Sequence, residues 1–294
     1  MSVALLWIAQ VVRLAIPYLF AAAGGVIAER AGVMSLTLEG FMLGGAFGAA
    51  LGGSITGNAW GGIAGGMVGG AAFALVHAVA CIRFRADQVV TGIAINILAL
   101  GLTRFLLQLV FHSAANSARI AGFATAGSDG SALAALVRNP LVVGGIISAP
   151  LVQWLVQRTP FGLRLRAAGE HPEAAASAGV IVGWIRTIAV LLSGVLAGLG
   201  GAYLALDQHQ FTEGMTAGRG FIALAAVIFG RWQPLRAAAA CFMFAAAEAI
   251  AIDVQGTGAV PSQWLQMIPY VLTIVALVRV VGRATPPAAL GRSR

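Results

Sequence analysis

"VVTGIAINILALGLTRFLLQLVF", residues 89–111, carries a single charged side chain, Arg104. As an α-helix at 1.5 Å per residue it spans roughly 34 Å, enough to cross a hydrocarbon layer of about 30 Å. Comparable runs recur along the 294 residues: Val11–Ala28, Met34–Ile55, Trp60–Ile82, Leu141–Val156, Trp184–Leu206, Leu235–Ile252 and Trp264–Val281, with a shorter one at Phe221–Phe229. The chain is 59% hydrophobic and 10% charged, with a mean hydropathy of +0.90. A soluble domain carries about 25% charged residues. These features predict an all-α, polytopic membrane helical bundle of about nine spans, one of them short or broken. The connections leave no room for a separate soluble domain, so residues 1–284 read as one transmembrane unit.

All 18 basic residues are arginines, and they are unevenly placed. If residues 158–180 are cytoplasmic and the spans alternate, thirteen arginines fall on that side and three on the other, with Arg13 and Arg104 inside spans. The positive-inside bias then puts the amino terminus outside and the carboxyl terminus inside. The net charge of +8 is accounted for by this topology signal and by anionic headgroups, and calls for no nucleic acid. The first apolar run reads as insertion signal and first span together. Residues 285–294, basic and containing Pro286 and Pro287, read as a disordered cytoplasmic tail. Cys81 and Cys241 read as packing residues near the cytoplasmic ends of spans.

Several chemistries are missing. A Walker loop needs a lysine, and the chain has none. His77, His112, His171 and His209 lie far apart, without metal-ligand spacing. The glycine runs "LGGAFGAALGG" and "GGIAGGMVGG" sit inside apolar spans, where small residues let helices approach closely. The chain therefore reads as a transporter, with no catalytic or metal-binding residues and no cofactor of its own.

The stretch "RTPFGLRLRAAGEHPEAAASAGV", residues 158–180, breaks the apolar pattern. Pro172 suits a first helical position, Glu173 complements the dipole of a first turn, Ala174 to Ala176 favour helix, and Gly179 is placed to end it. This predicts a helix of about two turns within a cytoplasmic loop, 158–182. Alone it is marginal, so either a partner holds it or it lies as a lid in the headgroup layer.

Inside the spans, Gln88, Thr91, Asn96 and Thr103 fall at roughly 0°, −60°, 80° and 60° around one helix. They form a polar stripe that lines a solute path or glues helices together. Arg104, about 160° round, is expected to pair with a carboxylate or a helix end. Glu39 and Glu248 are carboxylates in apolar surroundings, functional candidates by default. Phe221–Phe229 spans only about 14 Å, so it is completed by polar flanks or belongs to a broken helix, and Gly218, Arg219 and Gly220 at its start are a candidate gate. The segments 207–214 and 112–139 are candidate contacts for an external partner. An ion-coupled secondary transporter of a neutral polar solute would fit these features too.

"EAAASAG", residues 173–179, resembles the E-A-A-x-x-x-G core by which ABC-importer permeases dock onto their ATPase, although the isoleucine-x-leucine-proline ending of that pattern is absent. "ERAGVMSLTLEGFMLGGAFGA" (29–49), "ADQVVTGIAINILALGLTRFL" (86–106), "TPFGLRLRAAGEHPEAAASAGV" (159–180) and "EGMTAGRGFIALAAVIFGRWQP" (213–234) resemble the smaller permease subunit of the nucleoside and simple-sugar branch, related to ribose and branched-chain amino acid permeases. The resemblance implies a multi-pass protein of the bacterial inner membrane. Its implied partners are a larger homologous permease, a cytoplasmic ABC ATPase that binds the ATP, and a substrate-binding lipoprotein. It implies coupling to the ATPase through Arg164, Arg166, Glu170, Glu173, Ala174, Ala175 and Gly179, and a small polar cargo, with nucleosides first.

Overall fold

The computed structural model describes residues 3–123, 136–256 and 285–291. Among the described residues, ten α-helices carry the fold: α1 (Val3–Arg30), α2 (Leu38–Thr56), α3 (Ala59–Ala78), α4 (Gln88–Phe111), α5 (Pro140–Arg158), α6 (Pro160–Glu170), α7 (Pro172–Ser177), α8 (Val182–Asp207), α9 (Arg219–Phe229) and α10 (Pro234–Gly256). A π-helical turn, Val79–Arg83, extends α3. Local sequence sets many of the boundaries. Asn58, Asp87, Asn139 and Thr159 cap α3, α4, α5 and α6 by accepting from the first free N–H groups, and Pro140 and Pro160 follow two of these caps at N1.

Among the described residues, seven helical segments are long and apolar enough to cross a membrane: Ala4–Arg30, Leu38–Thr56, Ala59–Arg83, Gln88–Phe111, Pro140–Arg158, Val182–Asp207 and Pro234–Gln255. They correspond to seven of the nine runs read from the sequence. The short run is α9, eleven residues or about 16 Å long. The last run, Trp264–Val281, lies outside the described residues.

At the centre, α2, α3 and α8 pack on one another with glycine at their contacts. A Cβ at Gly48 would lie 2.3 Å from the Gly65 carbonyl oxygen, and one at Gly198 would lie 2.4 Å from that of Gly66. These backbones touch, which is how helices gain contact where lipid removes the hydrophobic drive. The outer face of α4 is the converse: Val90, Ile97 and Phe105 are exposed and apolar, as a lipid-facing surface requires.

Where the sequence leads one to expect a disordered tail over 285–294, an ordered turn stands at 285–291; residues 292–294 lie outside the described residues. Residues 285–291 form a packed turn in which Ala289 is 2% exposed. The Ala289 N–H donates to the Gly169 carbonyl at 2.9 Å, and the Ala288 N–H to the Glu170 carboxylate at 3.3 Å. Pro286 and Pro287 looked like breakers of order, but the backbone beyond them finds acceptors at the end of α6. That partnership is tertiary and leaves no trace in local composition.

Candidate functional site

Two regions of the fold carry the residues singled out above. The first is the end of the bundle where α1 finishes and α6 and α7 lie. Thr159 caps α6, a helix that the sequence reading missed because its arginines and glycines broke the apolar pattern. His171 separates α6 from α7. The helix α7 ends in a Schellman turn: Val180 N–H donates to the Ala175 carbonyl, Gly179 N–H to that of Ala176, and Gly179 takes φ +83°. Glu173, Ala174 and Gly179 are exposed while Ala175 is buried, so one side of α7 is anchored and the other stands free. Arg164 and Glu170 are exposed on α6, and Arg166 is half-buried.

Beneath α7 the bundle end is tied together by groups that sequence reasoning passed over. Arg186 is buried and donates to the carbonyls of Ala31 at 3.1 Å and Ala168 at 3.4 Å. Arg30 donates to the Trp232 carbonyl at 2.8 Å. Glu29 accepts from the Trp232 indole and from the Ser35 N–H. The end of α6, the α1–α2 connection and the α9–α10 turn are thus linked by hydrogen bonds. Glu29 is 3% exposed, and its place at the end of an apolar run next to Arg30 gives no sign of that in the sequence.

The second region lies inside the bundle, at the start of α9. Glu39, in the first turn of α2, accepts from the Thr216 hydroxyl at 2.6 Å, the Gly218 N–H at 2.8 Å and the Gly220 N–H at 2.7 Å. A carboxylate here satisfies free donors of a helix start and complements its dipole. The approach requires glycine, since a Cβ at Gly220 would lie 2.3 Å from the Glu39 nitrogen. The turn before α9 is tightly wound, with positive φ at Gly214, Ala217 and Gly218. Arg219 pairs with Glu248 at 2.8 Å, and the other oxygen of Glu248 accepts from the Tyr18 hydroxyl at 2.6 Å. Tyr18 and Glu248 sit well inside α1 and α10, so this junction lies within the bundle, away from either end. The short run is a short helix that starts among these contacts, and Glu39, Glu248 and the 218–220 turn, separate candidates in the sequence, form one constellation.

The α4 stripe is placed differently. The Asn96 amide accepts from the Gly40 N–H at 2.9 Å and donates to the Leu36 carbonyl at 2.8 Å. Gln88 accepts from the Met34 N–H at 2.8 Å, and Thr103 bonds back to the Ala99 carbonyl at 2.7 Å. Thr91 is half-buried beside Cys81. Of the two readings of the stripe, interhelical glue is the one that these contacts favour: α4 supplies the hydrogen bonds that the backbone entering α2 lacks. Asn96→Leu is accordingly expected to destabilise the subunit by about 1–3 kcal/mol, the penalty for unsatisfied buried groups, with solute selectivity unchanged. Thermal unfolding of the purified complex alongside competition uptake checks this; altered selectivity at normal stability would return Asn96 to the path.

Arg104 meets a carboxylate, Glu213, at 3.4 Å. The two segments read as external loops join through the bonds Ser117 N–H to Phe211 carbonyl and Ile120 N–H to His209 carbonyl, both 2.9 Å.

Among the described residues, seven helices long and apolar enough to cross a membrane, with a short helix starting among them, define a polytopic membrane protein. Residues 7–277 match the family described as branched-chain amino acid transport system / permease component, and the chain belongs to that family. It is 38% identical to the guanosine ABC transporter permease protein NupQ of Bacillus subtilis (strain 168), over 94% of this chain and 92% of that one. It is 36% identical to the nucleoside ABC transporter permease protein NupC of Lactococcus lactis subsp. cremoris (strain MG1363), over the same shares. A putative glucose ABC transporter permease protein, TsgC13 of Haloferax volcanii, is 36% identical over 83% of this chain and 76% of its own. No solved structure matches the chain.

Proposed function

We propose that this protein is the smaller permease subunit of an ABC importer that carries nucleosides across a bacterial inner membrane. Its amino terminus is outside and its carboxyl terminus inside. A cytoplasmic ATPase docks on α7, with Arg164, Arg166 and Glu170 of α6 flanking the contact. A larger homologous permease completes the pore, and a substrate-binding lipoprotein delivers the solute. The observation that carries this reading is α7 itself: a capped helix too short to stand alone, anchored by Ala175 and exposed at Glu173 and Ala174. Likeness to guanosine and nucleoside permeases over nearly the whole chain supports the cargo.

Within the bundle, the gate is the start of α9. Glu39 holds the turn at Gly218 and Gly220, while Glu248 holds Arg219, so that a movement of α2 or α10 is passed to the half-helix. Half-helix starts at mid-membrane are where transporters place solute contacts.

The test reconstitutes the complete complex in liposomes and follows uptake of labelled guanosine, uridine and ribose. ATP-dependent uptake of the nucleosides is expected. Uptake of ribose alone would refute the cargo, and uptake driven by an ion gradient without ATP would replace the importer with a secondary transporter.

A further inference from the structure

A cavity of about 500 Å³ opens between α1, the start of α5 and the end of α8, at the end of the bundle opposite α7. One face of α1 lines it: Leu6, Gln10, Arg13 and Pro17, spaced four, three and four apart as a helical face demands. Arg219, at the start of α9, also lines it.

The charges around this space are paired. Arg13 of α1 meets Asp207 of α8 at 2.9 Å, both partly exposed, an arrangement that needs a watered space because hydrocarbon would not tolerate it. Arg219 is neutralised by Glu248 and also donates to the Met215 carbonyl at 3.2 Å. Neither arginine offers a free positive charge, so the cavity is built for a neutral solute and not for an anion. Hydrogen-bonding capacity remains. The amides of Gln10 and Gln208 make no hydrogen bond among the described residues, and Tyr203, whose hydroxyl accepts from Arg13 and keeps its own proton to donate, lines the same cavity. Pro17 lacks the N–H that would bond the Arg13 carbonyl, adding an acceptor at the same level. Leu14, Val142 and Leu204 supply apolar walls. Convergent polar groups in an apolar pocket of this size are the marks of a small-molecule site.

We infer that this cavity binds one nucleoside, its base against the apolar walls and its hydroxyls on Gln10, Gln208 and Tyr203, before the solute passes the Arg219–Glu248 floor. The inference rests on the nucleoside reading above and adds a binding site within this one subunit.

Cysteine protection in the intact complex tests it. Both native cysteines of this chain are buried, so Gln10→Cys provides the reactive thiol on this subunit, and Ile55→Cys, 74% exposed at the end of α2, serves as control. Guanosine at about ten times its half-saturating concentration is expected to slow maleimide labelling of Gln10→Cys about tenfold and leave Ile55→Cys unchanged. Ribose at the same concentration is expected to protect neither. Gln10→Trp, which fills the space, is expected to lower guanosine uptake at least tenfold in a complex whose subunits still co-purify in the native ratio. Unprotected or unreactive Gln10→Cys in a complex that still takes up guanosine would overturn the site and leave the cargo assignment standing. Protection by ribose equal to that by guanosine would overturn the nucleoside class. A native complex that imports ribose and no guanosine would refute the cargo reading, and this inference with it.

Discussion

Glu39→Ala is expected to unlatch α9 and abolish transport. Three donors, the Thr216 hydroxyl and the N–H groups of Gly218 and Gly220, lose their common acceptor inside the bundle. Neutral interhelical hydrogen bonds in membranes contribute about 0.6 kcal/mol each, whereas bonds to a charged group contribute about 1.5–3 kcal/mol. A carboxylate on a helix start falls in the second class, which puts the loss on the order of 5 kcal/mol. The apparent melting temperature of the purified complex should fall by roughly 10 °C or more, with uptake reduced to background. Glu39→Gln should be intermediate, because one amide oxygen can still accept while its NH₂ faces N–H donors. Native melting and uptake in Glu39→Ala would show that the carboxylate does not hold the half-helix.

Glu173→Lys combined with Gly179→Pro is expected to uncouple ATP hydrolysis from transport while insertion stays intact. Gly179 sits at φ +83°, which proline cannot adopt, and its N–H closes the turn on the Ala176 carbonyl. The lysine reverses the charge at the helix start, opposing the dipole. Both positions are exposed, so the helices α1 to α5 and α8 to α10 are not affected directly. Uptake should fall about a hundredfold or more, as expected when a contact worth about 3 kcal/mol or more is lost from the transport cycle. Uptake measured beside co-purification of the ATPase reads this directly: native uptake with a normally retained ATPase would remove α7 from the coupling role.

Much of this protein is legible in its residue order. Membrane spans follow from hydropathy because lipid leaves the backbone no partner but its own helix, so a run such as 89–111 has one stable form. Helix starts follow from caps such as Asn58 and Asp87, and the end of α7 from Gly179, since these interactions reach only two or three residues along the chain. The short run before Gly230 pointed by its length to a short or broken helix, and an eleven-residue helix stands there.

Which polar groups belong together was decided by tertiary structure. Glu39 and Gly220 are 181 positions apart, Tyr18 and Glu248 are 230 apart, and no periodicity connects such distances. The stripe on α4 shows the converse: helical spacing placed Asn96 on a polar face, but only the entry of α2 beside it determined that the face meets backbone carbonyls and N–H groups. The same holds for 285–291, whose order depends on acceptors at Gly169 and Glu170. Local preferences select helices and their ends because their energies are set within a turn or two of chain. The junction of Glu39 with the start of α9, the cavity and the packed turn at 285–291 arise only when distant segments close on one another, where each buried donor must find its acceptor or lose the hydrogen bond that water would have supplied.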